Sequence, residues 1–288
     1  MRDYTYKDME ALVAADAELK IVIAGNHDTT LHEEYYIRDG KDMFHRGISE
    51  DLEQIRELWM GEATKKAGIV YLEEGTRTFD LSYGARFTAS RIQTVSRRLP
   101  GRALSLPTVL AHNTSPWQPE VYNWAFNYNR DEDRFNPNVS DARVTVSNPV
   151  PSWPAIDIML THGPPHKILD RTDTYEDFGC EHLLRAVQRC RPRLHCFGHI
   201  HEGWGAERRN WAGKMSKAIR LDAQDILHNG SAYLDLTQKG HSPLQFGEET
   251  VFVNAAIMTV AYEPCNAPWV LDLDLPVAEQ AGRNAVST

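Results

Sequence analysis

The chain has 288 residues, of which 42% are hydrophobic, 25% charged and 9% aromatic, with 18 Gly and 15 Pro. This is ordinary globular usage, which excludes fibrous, collagenous and low-complexity classes, and no apolar run reaches the ~20 residues of a membrane helix. The net charge of −9, from 31 Lys and Arg against 40 Asp and Glu, argues against a nucleic-acid polymer or an anionic membrane as the main partner. Cys180, Cys190, Cys196 and Cys265 form no Cys-x-x-Cys pair and read as reduced core thiols. With no apolar leader in the opening residues, they give a cytoplasmic expectation.

Met9, Leu12 and Val13 share one helical face near the start of the chain. Residues 20–24, Lys-Ile-Val-Ile-Ala, form a continuous apolar run ending at Gly25, the pattern of a strand buried on both faces with a functional loop at its C-terminal end. A helix is expected over 49–66, with Leu52, Ile55, Leu58 and Trp59 inward and Ser49 as its cap. A strand follows at 69–72. From Leu81 to Pro119 there is no Asp or Glu, while Arg86, Arg91, Arg97, Arg98 and Arg102 fall within it, which reads as a solvated basic loop or insertion.

Residues 156–160 form a buried strand running into Thr161-His162-Gly163-Pro164-Pro165. A helix carrying Leu183, Leu184 and Val187 ends near Arg191-Pro192, and a strand at 194–197 runs into Gly198. Strand composition returns at 250–254 and 269–275, the latter alternating Leu271, Leu273 and Leu275 against Asp272 and Asp274. Early alternation of strands and helices, followed by clustered strands with no Ser/Gly linker, predicts a single α/β domain over 1–288: a mixed β-sandwich flanked by helices.

Three histidine-bearing loops each follow a predicted buried strand: Gly25-Asn26-His27-Asp28, Thr161-His162-Gly163-Pro164 and Gly198-His199-Ile200-His201. Imidazole nitrogen and amide oxygen suit Mn, Fe or Zn, and an adjacent glycine lets backbone come close to an ion. Taken singly, a strand-end His is more often a hydrogen-bonded structural residue, and Asn-His-Asp a turn. His32, His45, His112, His166, His182, His195, His228 and His241 lie outside these loops and read as surface or structural. Of them only His166, after the Pro pair, is kept as a substrate contact.

Together and in this order the loops resemble the last three signature blocks of the calcineurin-like metallophosphoesterases. Tyr122-Asn123-Trp124-Ala125-Phe126, Phe-Gly-His-Ile-His-Glu-Gly-Trp-Gly over 197–205 and Phe252-Val253-Asn254-Ala255-Ala256 are similar to its metallophosphoesterase-domain-containing branch. The resemblance covers most of the chain outside an atypical basic insertion at 83–113 and a variable segment at 210–248. It implies a calcineurin-like sandwich and a metal-dependent hydrolase of small phosphomonoesters or phosphodiesters, cyclic nucleotides included. In the family two divalent ions bind the phosphoryl group and activate water. By resemblance Asn26, His162 and His199 would hold one metal and His201 would belong to the other. His27 would stabilise the phosphoryl charge or protonate the leaving oxygen, with Asp28 orienting it.

The family pattern begins with Asp-x-His and then Gly-Asp, whose carboxylates hold the first metal and bridge the pair; neither motif occurs in this chain. The resemblance therefore implies that the first strands of the domain are missing, with an apolar edge exposed beside residues 20–24. It also leaves His201 without its partners, and metal occupancy falls to one ion or none. The alternative function is a non-catalytic metal-binding or regulatory remnant of the same fold; a further reading makes the His loops purely structural.

Overall fold

The structure, a computed structural model, describes residues 9–81, 86–89, 94–95, 108–137, 146–213 and 215–276. Arg91, Arg97, Arg98 and Arg102 of the basic stretch lie outside the described residues. In chain order the strands are β1 (Leu19–Val22), β2 (Ile69–Tyr71), β3 (Gly75–Leu81), β4 (Arg86–Ala89), β5 (Thr94–Val95), β6 (Thr108–Ser115), β7 (Gln118–Pro119) and β8 (Asn127–Tyr128). They continue with β9 (Ile158–Thr161), β10 (Leu194–Phe197), β11 (Gly205–Asn210), β12 (Met215–Ile219), β13 (Ala232–Asp235), β14 (Glu249–Asn254) and β15 (Trp269–Asp272).

Among the described residues one sheet runs β13-β15-β4-β5-β1-β2 and the other β12-β11-β14-β10-β9-β6-β3, with β7 and β8 paired separately. The two sheets face each other across one apolar layer. Leu19, Ile21, Leu234, Trp269 and Leu271 from the first meet Leu110, Ile158, Leu160, Leu194, Cys196, Val251 and Val253 from the second. The expected α/β sandwich flanked by helices is therefore observed. On the outer side of the second sheet the helix Glu181–Cys190 buries Leu183, Ala186, Val187 and Cys190 against Ile156, Met159, Phe197 and Phe252. Each such large aliphatic side chain contributes on the order of 1.5–3 kcal/mol on burial. The helix is capped by Cys180, whose Sγ accepts from Leu183 N, and stops at Arg191, which turns left-handed at φ 44°.

Several local expectations need correction. The helix expected over 49–66 is two helices, Leu52–Met60 and Glu62–Lys66, divided at Gly61, and its cap is Asp51 rather than Ser49, with Asp51 Oδ1 accepting from Gln54 N at 3.0 Å. Cys180, Cys190 and Cys196 are buried free thiols, but Cys265 is exposed. The edge expected to lie open beside residues 20–24 is covered at its start among the described residues. β1 pairs in parallel with β2 on one side, and Leu19 and Lys20 pair antiparallel with Val95 and Thr94 of β5 on the other. Part of the basic stretch thus occupies the sheet position beside β1, and Ile21 is completely buried. A buried Lys in this strand is accounted for by its ammonium, which donates to Ala67 O at 2.9 Å and Val13 O at 3.3 Å. Residues 108–113, the end of the expected insertion, belong to β6, between β3 and β9. No helix among the described residues is long and apolar enough to cross a membrane.

His112, on β6, is completely buried with both ring nitrogens unpartnered, and its ring stands edge-on to Phe79 at 5.8 Å. Burial holds its pKa down to about 3. A group depressed from an unfolded value near 6.5 has its full stability above that value, and loses it as pH falls towards the folded value, because only the unfolded chain takes the proton. His112→Leu should therefore gain about 2 kcal/mol relative to the parent between pH 7 and pH 5. Urea denaturation at the two pH values reads this directly, and an equal difference at both would show that His112 is not buried neutral.

Candidate functional site

The candidate residues sit where parallel strands end. β9, β10 and β14 run parallel as neighbours, so the loops after Thr161, Phe197 and Asn254 emerge side by side. His162 directly follows β9, His199 lies two residues after β10, and His201 opens the turn His201–Gly203. The strand ladder continues into these loops: His162 N donates to Ser115 O at 2.9 Å, Gly198 N to His162 O at 3.1 Å, and Ala255 N to Phe197 O at 2.7 Å. β1 of the facing sheet delivers Asn26, His27 and Asp28 to the same place. Its loop is closed by Gly25 N donating to Asp28 Oδ2 at 2.8 Å.

Three electron-pair atoms meet at the centre. His162 Nε2 is 2.9 Å from Asn26 Oδ1 and 3.0 Å from His199 Nδ1, and Asn26 N approaches the same nitrogen at 3.3 Å. A ring nitrogen is either a donor or an acceptor, never both. If Nε2 carries the proton it cannot accept from Asn26 N; if it does not, its contact with Asn26 Oδ1 is lone pair against lone pair. With Asn26 in this orientation no single tautomer meets every contact, and a cation shared by Asn26 Oδ1, His162 Nε2 and His199 Nδ1 would meet the two shorter ones. Two N or O ligands sharing one ion at the usual ~2.0–2.2 Å stand roughly 3 Å apart when at right angles. The two contacts at His162 Nε2 thus have the spacing of atoms that share one divalent ion, and all three atoms are of ligand type.

The local backbone makes this approach feasible. A Cβ at Gly25 would lie 2.6 Å from His162 Cε1, so only glycine admits the ring there. His199 is held at φ 69°, a left-handed conformation uncommon for a non-glycine residue. Burial first, and then the neighbouring imidazoles of His199, His27 and His201, hold the His162 pKa well below its ordinary value. Burial, His201 and His27 lower that of His199 to about 4. Both rings are neutral at pH 7 and keep a lone pair for a ligand.

His27 and His201 line the same cleft, of about 780 Å³, together with Tyr122, Trp124, Val260 and Tyr262. The His27 ring lies 4.3 Å from that of Trp124, and Tyr262 stands edge-on to both His27 (6.5 Å) and His201 (5.2 Å). All six expected site residues are thus brought to one cleft. His166 is not: it sits 3.8 Å from Asp170 and from Glu181, away from the cleft lining. Among the described residues no group of three or more His, Cys, Asp and Glu is placed to hold a metal, because the closest set is two imidazoles and an amide.

Asn254 belongs to a family-like block of the sequence, yet nothing in that block gives it a role. Its side chain is completely buried and joins three loops: Nδ2 donates to Ile200 O at 2.8 Å and Leu169 O at 3.1 Å, and Oδ1 accepts from Ala256 N at 3.0 Å. Ile200 lies between His199 and His201, so this clamp sets where both rings emerge. Gly203 permits it, since a Cβ there would lie 2.0 Å from Leu169 O. Tyr262 has no sequence signal either, as it lies on a loop without periodicity.

The model of the calcineurin-like phosphoesterase family matches residues 2–203, and the chain belongs to that family. It is 29% identical over 267 residues to metallophosphoesterase domain-containing protein 1 of Homo sapiens and, to the same extent, of Mus musculus, covering 90% of this chain and 56% of each relative. A UPF0046 protein of Caenorhabditis elegans is 40% identical over 92 residues, 32% of this chain and 20% of that protein. The chain thus spans about half the length of the first two relatives.

Asn254→Leu should cost on the order of 3 kcal/mol, because two carbonyls and one N–H are left buried and unpaired at ~1–3 kcal/mol each before relaxation. Denaturant titration measures it; a loss under about 1 kcal/mol would mean the clamp contributes little.

Proposed function

We propose that this chain hydrolyses small phosphate esters using a divalent ion, Mn, Fe or Zn, held by Asn26 Oδ1, His162 Nε2 and His199 Nδ1, with His201 directed to a second ion. The observation that carries this reading is the convergence of those three atoms to within 3.0 Å about His162 Nε2. When bound, such an ion supplies Lewis-acid polarisation of the phosphoryl group. The remaining work falls to the protein. His27, beside Trp124 at the cleft wall, is the group proposed to stabilise the phosphoryl charge or protonate the leaving oxygen, and Asp28 holds its loop. The cleft volume of about 780 Å³ is that of a small-molecule site, so mono- and diesters, cyclic nucleotides among them, are the proposed partners. Three buried free thiols suit a reducing, cytoplasmic setting.

One observation favours a second reading, a metal-binding remnant without turnover. The converging donors are neutral, and among the described residues no group of three or more His, Cys, Asp and Glu is placed to hold an ion.

Equilibrium dialysis with Mn²⁺, paired with hydrolysis of a bis-aryl phosphate, separates the two. At least one bound ion is expected, with His199→Ala weakening binding by about 10-fold or more. His27→Ala should leave metal content unchanged and lower turnover roughly 10²–10⁴-fold, the range of a lost general acid. One ion without turnover establishes the second reading, and no bound ion removes both.

A further inference from the structure

The loop over 257–266 has no part in holding the proposed first metal, yet it is fastened at several points and ends on His201. The His201 Nδ1 atom lies 3.0 Å from Thr259 O. A carbonyl oxygen only accepts, so Nδ1 carries the hydrogen and the lone pair is left on Nε2. Thr259 O also accepts from Tyr262 N at 2.9 Å, and Thr259 N donates to Glu263 O at 2.8 Å, so the carbonyl is gripped within its own turn. That turn is stapled to the strand end by Asn266. Its Nδ2 donates to Ala256 O at 2.8 Å and Met258 O at 3.2 Å, and its backbone N to Ile257 O at 3.0 Å. Tyr262, held at φ 61°, then places its ring edge-on to His201 at 5.2 Å, closing the remaining side.

We propose that this loop fixes the tautomer and orientation of His201, and that Asn266 is the positioning residue that keeps Thr259 O in place to do so. A histidine that is to meet a metal through one nitrogen is commonly held by a hydrogen bond from the other, which sets the tautomer and raises ligand basicity. His201 has that arrangement with no carboxylate involved. The inference rests on the phosphoesterase reading only in giving Nε2 an ion to meet.

The test needs neither metal nor substrate. Long-range ¹H–¹⁵N correlation spectra of the metal-free, ¹⁵N-labelled chain at about pH 8.5, some two units above the reference imidazole value, report which ring nitrogen of each neutral histidine is protonated. The signals of His201 are those lost in His201→Gln. The expected result is a single Nδ1–H form for His201 in the parent. In Asn266→Ala and Asn266→Asp, both of which lose the Nδ2 donors, a mixture containing the Nε2–H form should appear, with the other histidines unchanged. An Nε2–H form in the parent overturns the proposal. So does an unchanged His201 in folded variants, and so does failure of both variants to fold, which would make Asn266 a residue of the fold alone. An inert enzyme with the expected tautomer leaves this inference standing; the opposite tautomer leaves the first metal site standing on Asn26, His162 and His199.

Discussion

The crowding of three electron-pair atoms around His162 Nε2 is the constraint on which the rest of the site depends. Folded proteins avoid lone pairs facing lone pairs in buried places, since each unsatisfied group costs about 1–3 kcal/mol. Here the contacts at 2.9 and 3.0 Å join a loop from one sheet to two loops from the other. The sandwich holds them there by backbone hydrogen bonds that run from strand end to strand end, by a left-handed His199 and by a glycine that admits a ring. A left-handed backbone and desolvated imidazoles gathered at one point, while the surrounding core is conventional, are the features on which the proposed binding role rests.

What orients the site lies one layer further out. Asn254 ties the loop of His199 and His201 to Leu169 and Ala256, and Asn266 ties the next loop to Ala256 and Met258. The two asparagines have separate roles, the first deciding where the histidines emerge and the second which way His201 is turned. Both act through main-chain carbonyls, so their effect is geometric and carries no charge into a centre where burial already holds the imidazoles of His162 and His199 neutral.

Much of this is legible in the chain itself, and the reasons differ by residue. The strands after Ala155 and Pro192 are buried throughout and the run at 20–24 is buried or half-buried, so their apolar composition announces them without help from periodicity. The glycine-flanked histidines can be grouped because each follows such a strand, although only the fold shows that they meet. The position of β5 is not legible. Two residues pairing with β1 leave no compositional trace, and a basic stretch reads as solvated whatever backbone it contributes. Tyr262, Thr259 and Asn266 are invisible for a related reason: one contributes a ring on an irregular loop, one a carbonyl, and the third bonds to carbonyls, and no pattern of residue types encodes these. Ser49 loses the cap to Asp51 because the helix begins at Leu52, the first residue of its apolar stripe, with Asp51 directly before it.

The neutrality of the donor set has an electrostatic consequence for a divalent ion. A carboxylate ligand about 4 Å from a substrate anion would oppose it by about 4 kcal/mol per unit charge at an effective dielectric of 20, and it would hold the ion by attraction of similar origin. Two imidazoles and an amide do neither. An ion held by Asn26, His162 and His199 alone is bound less firmly than one in an anionic cage, but presents its whole charge to the cleft. In a chain of net charge −9 that charge would be the principal attraction for a phosphate ester at this point. On the proposed reading, weaker retention of metal and stronger attraction of a phosphate ester would follow from the same three neutral ligands, and metal supply would then be the variable on which turnover depends.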